Sequence, residues 1–312
     1  MFMLKNKYKV CNSRRHRHQI TPYSRFGVFA PRFGTKLEVD SRRHFSSREA
    51  GTLGEITAIG MNGGNIVNKS YFIITGTSKG IGEQLAKMLL ENGDFVCGIA
   101  RGKSSILDKY ENYSHIQFDL SDTSSVEHMM SEAIYRIDIK DVEMICLINN
   151  AAMLEPLKSI DQCTTEEINK NLQISLIAPM ILTSCFIKQT NTFQRRRKII
   201  NISSGSGSYP APEMSVYCTA KAGINMFTQC VGAEQSTQNS PVEIISVDPG
   251  MVDTELQVIA REKNDQEFKL AKNFKQAQQT GQLQTKENIC NHLINIIDKR
   301  FDSGKLVSFL EG

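Results

Sequence analysis

The sequence lacks the features that mark several classes of protein. It has no stretch of about 18 consecutive apolar residues, so we expect no membrane-spanning helix. Its eight cysteines form no C-x-x-C pair and have no histidine nearby at zinc spacing. That pattern favours reduced, mostly buried thiols in a cytoplasmic protein over a disulfide framework or a metal site. The 312 residues, 40% of them hydrophobic, can bury the core of one α/β domain or of two small ones.

Positive charge is concentrated at the N-terminus. Residues 1–60 hold 12 Lys and Arg against 4 Asp and Glu, whereas the rest of the chain holds 25 against 29. An organellar presequence, a basic arm that binds nucleic acid or anionic lipid, and a disordered extension all have such a composition. No sustained periodicity is visible before about residue 68. We therefore predict a disordered extension over 1–68, a domain over 69–312, and no nucleic-acid or membrane partner.

Short apolar runs alternate with helical patterns from Ser70 onward. After the first run, Ile81, Leu85 and Leu89 recur at helical spacing. Near-continuous apolar strands separated by helices are typical of a parallel sheet covered on both faces. We predict one doubly wound Rossmann-type α/β domain with a mostly parallel, seven-stranded sheet. The seven runs occupy 71–75, 94–99, 115–118, 144–148, 198–202, 243–247 and 305–310.

The glycine-rich segment TGTSKGIG, residues 75–82, separates the first strand from the first helix. Its glycines permit a tight turn, and the helix N-terminus presents free N–H groups to a pyrophosphate. A glycine-rich turn without a ligand is the alternative. We predict that a dinucleotide is bound here by Gly76, Thr77, Ser78, Lys79, Gly80, Ile81 and Gly82.

The end of the second strand indicates which dinucleotide is bound. NAD enzymes usually place Asp or Glu there to bond the ribose 2′-hydroxyl. Here Ala100 is neutral, and Arg101 and Lys79 supply positive charge that can bind a 2′-phosphate. NADP(H) is therefore the predicted cofactor. The alternative is that the two cations are merely solvated.

Five motifs in the same order resemble the short-chain dehydrogenase/reductase family. The glycine-rich segment is followed by Asp119, by NNAA at 149–152, by Tyr217-x-x-x-Lys221 and by a PG-x-x-x-T motif at 249–254. The resemblance covers about residues 70–312. It implies an oxidoreductase that acts on a small-molecule carbonyl or alcohol.

The resemblance also implies roles for residues around the cofactor. Asp119 would bond the adenine amine, and Asn150 would line the cofactor groove. Val252 and Thr254 would contact the nicotinamide end. The chain departs from the family at Ala152, where glycine is usual; one extra methyl group should be tolerated.

The Tyr217/Lys221 pair is the predicted reaction centre. Residues four apart share one helix face. The ammonium of Lys221 and the positive nicotinamide should lower the pKa of the tyrosine from about 10, so that Tyr217 acts as proton donor. By resemblance, Lys221 also bonds the nicotinamide ribose, and Ser204 polarises the substrate carbonyl. Ser203 is assigned a turn-capping role.

Ser175 occupies the place of the family's fourth catalytic residue, an asparagine. In the family, the main-chain carbonyl of that residue holds a water that relays protons to the lysine. Pro179 has no N–H with which to bond the Ser175 carbonyl. Our hypothesis is that the relay operates through this carbonyl without an asparagine side chain. The alternative is that Pro179 only bends a buried helix.

Within the family, the stretches NISSG at 201–205, YCTAKAG at 217–223 and PGMVDT at 249–254 resemble those of sepiapterin reductases and (S)-benzoin-forming benzil reductases. Sepiapterin reductases carry an acidic residue in the last strand, where this chain has Ser308. A neutral hydroxyl argues for an uncharged aromatic 1,2-diketone and against a pterin. Another ketone, or a catalytically weak NADPH-binding regulator, remains as an alternative.

Two further expectations concern the surroundings of the site. Residues 205–214 and 255–282 should shape the substrate pocket, the latter as a lid with Gly281 as a hinge or else as a plain surface helix. By resemblance, the helix that carries Tyr217 and the helix before it would pair two or four copies into a homodimer or homotetramer.

Overall fold

The structure is a computed structural model that describes residues 69–137 and 142–309. The prediction for residues 1–68 lies outside the described residues, as does the end of the last predicted strand at Leu310. The strands are β1 Lys69–Thr75, β2 Phe95–Ala100, β3 Tyr113–Gln117, β4 Val142–Asn149, β5 Arg196–Ile202, β6 Glu243–Asp248 and β7 Leu306–Ser308. The helices are α1 Gly80–Glu91, α2 Val126–Tyr135, α3 Thr165–Leu172, α4 Ala178–Gln189, α5 Ser215–Gln235, α6 Glu255–Glu262, α7 Ala271–Gln279 and α8 Lys286–Asp298.

The seven strands form one sheet in the order β3-β2-β1-β4-β5-β6-β7. Every pairing between these strands is parallel, so the predicted Rossmann-type fold is confirmed. The strand order reverses between β1 and β4. A crevice opens outside the carboxyl ends of the strands at such a switch point, and ligands bind there in open α/β sheets.

The apolar strands are explained by burial on both faces of the sheet. In β1, Tyr71 and Ile73 join one hydrophobic cluster, while Phe72 and Ile74 join the cluster on the opposite face. Successive side chains of a strand point to opposite faces, so a strand covered on both sides needs an unbroken apolar run. Each of these buried side chains contributes roughly 1.5–3 kcal/mol.

One charged side chain is fully buried beneath the sheet. Lys198 of β5 donates from Nζ to the carbonyl oxygens of Ile296, at 2.7 Å, and Lys299, at 2.8 Å. Its Nζ also lies 2.8 Å from a carboxylate oxygen of Glu243. A cation at the end of α8 satisfies carbonyl groups that lack helical partners. Lys198 thus ties the central strands to the last helix.

The helical stretch Thr165–Gln189 is long and apolar enough to cross a membrane by length and composition. Part of it packs into the domain: Leu182 and Phe186 belong to the core beside the sheet. A core helix with these properties is weak evidence for a membrane span. Among the described cysteines, all seven are free thiols, and the four buried ones are Cys97, Cys146, Cys185 and Cys290.

Candidate active site

A cavity of about 840 Å³ opens at the carboxyl ends of the strands and brings together most of the predicted site residues. Of the predicted residues, Thr77, Gly82 and Ser175 do not line it. Those that do are Gly76, Ser78, Lys79, Gly80, Ile81, Arg101, Asp119, Asn150, Ser204, Tyr217, Lys221, Val252 and Thr254.

The glycine-rich loop depends on its glycines for backbone shape and close packing. Gly76 and Gly80 have φ angles of +78° and +69°, which favour glycine. A Cβ on Gly82 would collide with the carbonyl oxygen of Gly76 and would lie 2.6 Å from Nδ2 of Asn150. Gly82 therefore lets α1 approach the loop and does not face the cavity. The loop leaves room for a ligand's phosphates, which fits a dinucleotide.

The side chain of Thr77 does not line the cavity, and its part in binding the cofactor stays a prediction. Its side chain is fully buried, and its Oγ1 lies 3.3 Å from the hydroxyl of Tyr113. That hydroxyl is in turn 3.4 Å from Nδ1 of His115. Thr77 therefore links the glycine-rich loop to strand β3 through Tyr113.

Arg101 and Asp119 lie at the end of the cavity beyond β2 and β3. The Arg101 side chain is 68% exposed, and its Nη1 lies 3.9 Å from Oδ2 of Asp119. Asp119 accepts hydrogen bonds from the N–H of Ser121, at 3.0 Å, and from its hydroxyl, at 2.9 Å. The backbone bond from Ser121 is the main cause that lowers the pKa of Asp119, and Arg101 adds to it. The guanidinium is therefore accessible to an anionic ligand.

Asn150 ties the two strands that flank the switch point. Its Nδ2 donates to the carbonyl of Thr75 at 2.9 Å. The Thr75 hydroxyl accepts the N–H groups of Asn150 and Ala151, both at 3.0 Å. These bonds fix the glycine-rich loop against the end of β4. Ala152 also lines the cavity.

The reaction-centre residues project from β5 and α5. Lys221 donates from Nζ to the carbonyl of Ile202 at 2.7 Å, and Nζ lies 5.6 Å from the centre of the Tyr217 ring. Ser204 follows β5, and its Oγ accepts the N–H of Ser206 at 3.2 Å. The turn-capping role assigned to Ser203 is therefore wrong: Ser204 caps this turn. Within the described residues, the buried Ser203 hydroxyl has no hydrogen-bond partner.

The electrostatics of this pair differ from the sequence-based expectation. Burial raises the pKa of Tyr217 to about 12, although its hydrogen bond with Ser204 lowers it in part. Burial lowers the pKa of Lys221 to about 8, and the negative charge of Asp248 opposes that shift. The expected lowering of the tyrosine pKa is thus absent in the protein alone. Desolvation of the phenolate is the largest cause of the shift, because the Tyr217 side chain is buried although it borders the cavity.

Ser175 lies behind the cavity wall, in a turn of π-helix between α3 and α4. The turn spans Gln173–Ile177, and Pro179 follows it. Ser175 is 2% exposed, and its Oγ accepts the N–H of Met153 at 3.0 Å. The widened turn lies where proline removes a helical donor, as expected from its missing N–H.

Sequence reasoning missed Asn171, which lies one turn before Ser175. Asn171 is fully buried, and its Nδ2 donates to the carbonyls of Met153, at 2.7 Å, and Glu155, at 2.6 Å. Met153 and Glu155 line the cavity. The four-residue spacing of Asn171 and Ser175 was a usable signal, because it places both on one helix face.

The part of the cavity next to Tyr217 is mainly apolar. Leu154, Met214 and Tyr217 pack in one cluster with the buried Phe268 of the segment between α6 and α7. Residues 255–282 therefore do contribute to the pocket, and their glycine at 281 has a φ of +68°. The apolar residues of the lining include Met153, Leu154, Ala211, Met214, Leu256, Ile259 and Phe274.

An acidic residue that sequence reasoning overlooked lies opposite Ser308. Asp248, the last residue of β6, is the direct partner of Ser308 in the β6–β7 register. Asp248 lines the cavity, and its Oδ1 accepts the N–H of Gly250 at 2.9 Å. The sequence of the last strand does not reveal this carboxylate, because Asp248 belongs to the neighbouring strand.

Known proteins share both the sequence pattern and the fold. The short chain dehydrogenase family matches residues 70–265. The (S)-benzoin-forming benzil reductase of Bacillus cereus is 38% identical over 243 residues, 76% of this chain and 98% of its own length. The enzyme of that name from Bacillus subtilis strain 168 is 32% identical over 240 residues, with 77% and 98% covered. Sepiapterin reductase of Bos taurus is 24% identical over 270 residues, with 81% and 98% covered.

Solved structures show the same fold at lower identity. A short-chain dehydrogenase/reductase of Saccharomyces cerevisiae has a TM-score of 0.64 and 21% identity, with 77% of this chain and 95% of that chain covered. ElxO with NADP bound has a TM-score of 0.61 and 21% identity, with 77% and 96% covered.

Proposed function

Because the chain belongs to the short-chain dehydrogenase family, an oxidoreductase family, we propose that it is an NADPH-dependent carbonyl reductase. Its proposed substrate is an aromatic 1,2-diketone, of which one carbonyl is reduced, as in the conversion of benzil to (S)-benzoin. The observation that carries the proposal is that Ser204, Tyr217 and Lys221 line the same cavity as the apolar pocket and the glycine-rich loop. The likeness to two benzil reductases over nearly their whole length supports the substrate class.

NADPH fits the residues present in the cavity. Gly76 and Gly80 line the cavity, with Oε2 of Glu255 3.2 Å from the place that a Cβ on Gly80 would occupy. Arg101 and Lys79 offer positive charge for a 2′-phosphate. Asp119 and Asn150 would border the adenosine and the groove, while Val252 and Thr254 would border the nicotinamide end. When bound there, NADPH supplies the hydride.

The side chains would then handle the proton and the carbonyl oxygen. Ser204 donates a hydrogen bond to the oxygen and stabilises its growing negative charge. Tyr217 gives its phenolic proton to that oxygen. The raised pKa of Tyr217 keeps the phenol protonated at neutral pH, so that its proton is available when the carbonyl oxygen gains negative charge. Lys221 is held at its Nζ by the Ile202 carbonyl, with donors left for the nicotinamide ribose and for a relay at Ser175.

The pocket next to these groups suits an uncharged aromatic ligand. Its walls include Leu154, Met214, Ile259 and Phe274. Burial of aromatic rings against such walls contributes roughly 25 cal/mol for each Å² removed from water. Residues of α6 and Phe268 pack in one cluster with Leu154, Met214 and Tyr217 beside this region. They would exclude water during the transfer.

A second candidate is a ketone on a pterin ring. The neutral Ser308 counts against a pterin, but Asp248 places a carboxylate opposite Ser308 in the register. A carboxylate can accept the N–H groups of a pterin edge. The relative from Bos taurus named sepiapterin reductase is consistent with this candidate.

The central test is replacement of Tyr217 by phenylalanine. Loss of the proton donor should lower kcat for benzil by about 100-fold or more, while the Kd for NADPH changes little. Consumption of NADPH is followed with benzil, 1-phenyl-1,2-propanedione, sepiapterin and simple ketones, and the chirality of the benzoin product is assigned. Undiminished reduction by Tyr217→Phe would contradict the mechanism. NADPH binding without turnover of any ketone by the parent protein would favour the regulator alternative.

We also propose that the enzyme works in the cytoplasm as a homodimer or homotetramer. Apolar side chains are exposed on two neighbouring helices: Ile177, before α4, is 41% exposed, Met180 of α4 is 38% exposed, and Met226 of α5 is 61% exposed. A second copy of the chain would cover these residues if the helices pair as in relatives. Sedimentation velocity measures the mass directly, and a monomer at micromolar concentration would contradict this part of the proposal.

A further inference from the structure

Asp248 faces the helix that carries Tyr217 and Lys221. Two residues earlier in β6, the Ser246 hydroxyl bonds Oδ1 of Asn225 in α5 at 2.8 Å. Alternate residues of a strand point to the same face. Asp248 therefore points towards α5 as well, at the end of the strand where the cavity opens.

The carboxylate of Asp248 is held between two turns of the active site. Its Oδ1 accepts the N–H of Gly250. Its Oδ2 lies 3.4 Å from the place that a Cβ on Gly205 would occupy. Gly205 follows Ser204, so Asp248 lies beside the turn that presents the serine to the substrate.

The negative charge of Asp248 acts on both members of the Tyr217/Lys221 pair. For Tyr217, burial is the largest cause that raises the pKa, the hydrogen bond with Ser204 lowers it, and Asp248 and Cys218 raise it. For Lys221, burial lowers the pKa and Asp248 raises it. Both groups are almost completely buried, so water screens this charge less than it would at the surface. The other charged residues that line the cavity are Lys79, Arg101, Asp119, Glu155, Lys170 and Glu255.

We propose that Asp248 is an electrostatic positioning residue that keeps Tyr217 as a phenol and Lys221 as an ammonium, and so favours carbonyl reduction over alcohol oxidation. The direction of this bias rests on the proposed reductase function. Reduction uses the phenol, which gives its proton to the carbonyl oxygen as hydride reaches the carbon. Oxidation runs the same step backwards and needs the phenolate to accept the alcohol proton. A neighbouring carboxylate disfavours the phenolate.

The test is the pH dependence of Asp248→Asn, which removes the charge and keeps the shape. The pKa of the alkaline limb of the reduction profile should fall by about one pH unit, as for the loss of a unit charge within roughly 12 Å at an effective dielectric of about 20. Benzoin oxidation should begin at a correspondingly lower pH. Asp248→Glu, which restores the charge, should return both profiles towards those of the parent.

The matched control is Asp298→Asn, the same change in charge at the exposed carboxyl end of α8. It should leave both profiles unchanged. Equal shifts in Asp248→Asn and Asp298→Asn would overturn the inference, since net charge would then explain the effect. Unchanged profiles in Asp248→Asn would overturn it as well.

Direct titration of the phenol separates this inference from the proposed function. Ultraviolet absorbance reports the phenolate, and the difference between each protein and its Tyr217→Phe counterpart isolates Tyr217. Asp248→Asn should ionise Tyr217 at lower pH than the parent, even if no diketone is turned over. If Asp248→Asn does not fold, Asp248→Ser serves in the same titration. An unchanged Tyr217 titration in a folded, charge-free variant overturns the inference.

Discussion

Replacing Ser175 by alanine should destabilise the domain much more than it slows the reaction. The Ser175 hydroxyl accepts the partly buried N–H of Met153 at 3.0 Å, and alanine would leave that N–H without this partner. An unpaired buried donor costs about 1–3 kcal/mol. In a domain of this size, each kcal/mol lowers Tm by about 2–4 °C, so Tm should fall by about 2–12 °C. The main-chain carbonyl of residue 175 is unaltered, so kcat should fall by less than about tenfold if the relay uses that carbonyl.

Thermal unfolding and steady-state reduction of benzil measure the two effects on the same protein. Ser131→Ala is a control at an exposed site: the Ser131 hydroxyl donates to the carbonyl of Glu127 and accepts from Nε2 of Gln189, and water can replace both partners. It should change neither Tm nor kcat appreciably. A several-hundred-fold loss of kcat in Ser175→Ala, with NADPH binding intact, would show that the side chain carries the function and would refute the backbone hypothesis.

Two further predictions concern the cofactor and the core. Arg101→Asp should raise the Kd for NADPH by about tenfold or more, because a carboxylate repels the 2′-phosphate, and should affect NADH much less. Equal kcat/KM for NADPH and NADH in the parent protein would contradict the role of Arg101. Lys198→Met should lower the free energy of unfolding by about 3 kcal/mol, since it leaves the Ile296 carbonyl and Oε1 of Glu243 without their buried cation, although Arg196 still pairs with Oε2 of Glu243. Urea unfolding measures this, and a loss below about 1 kcal/mol would show that the core adjusts.

The fold could be predicted from the sequence because burial on both faces leaves a strong pattern. All seven strands overlap the predicted runs, although β7 is shorter, with three residues at 306–308. Most predicted cofactor residues line one cavity for a related reason. Motifs at the carboxyl ends of parallel strands meet at the same edge of the sheet. Thr77 and Gly82 do not line the cavity. The sequence could not predict this, because a continuous motif does not indicate which of its residues point towards a ligand.

Local patterns could not predict the ionisation of the reaction centre. The sequence shows that Lys221 lies one turn from Tyr217, and this proximity alone would lower the pKa of the tyrosine. Burial is a property of the whole fold, and here it has the larger effect, raising the pKa to about 12. The effect of Asp248 on the pKa of Tyr217 could not be predicted either, because the two residues are 31 positions apart in the chain. The fold brings both to the same cavity.

The missing asparagine argues less against catalysis than the sequence alone implies. In the structure, Ser175 accepts the N–H of Met153, and Asn171 bonds the carbonyls of Met153 and Glu155 from one turn earlier. A serine and an asparagine thus hold the wall of the cavity at the place where the family relies on one asparagine. A turn of π-helix, Gln173–Ile177, lies at this place before Pro179, and a relay through the Ser175 carbonyl stays a hypothesis. The polar contacts that hold this wall are therefore present without an asparagine at residue 175, so Ser175 by itself does not favour the regulator alternative over the proposed reductase.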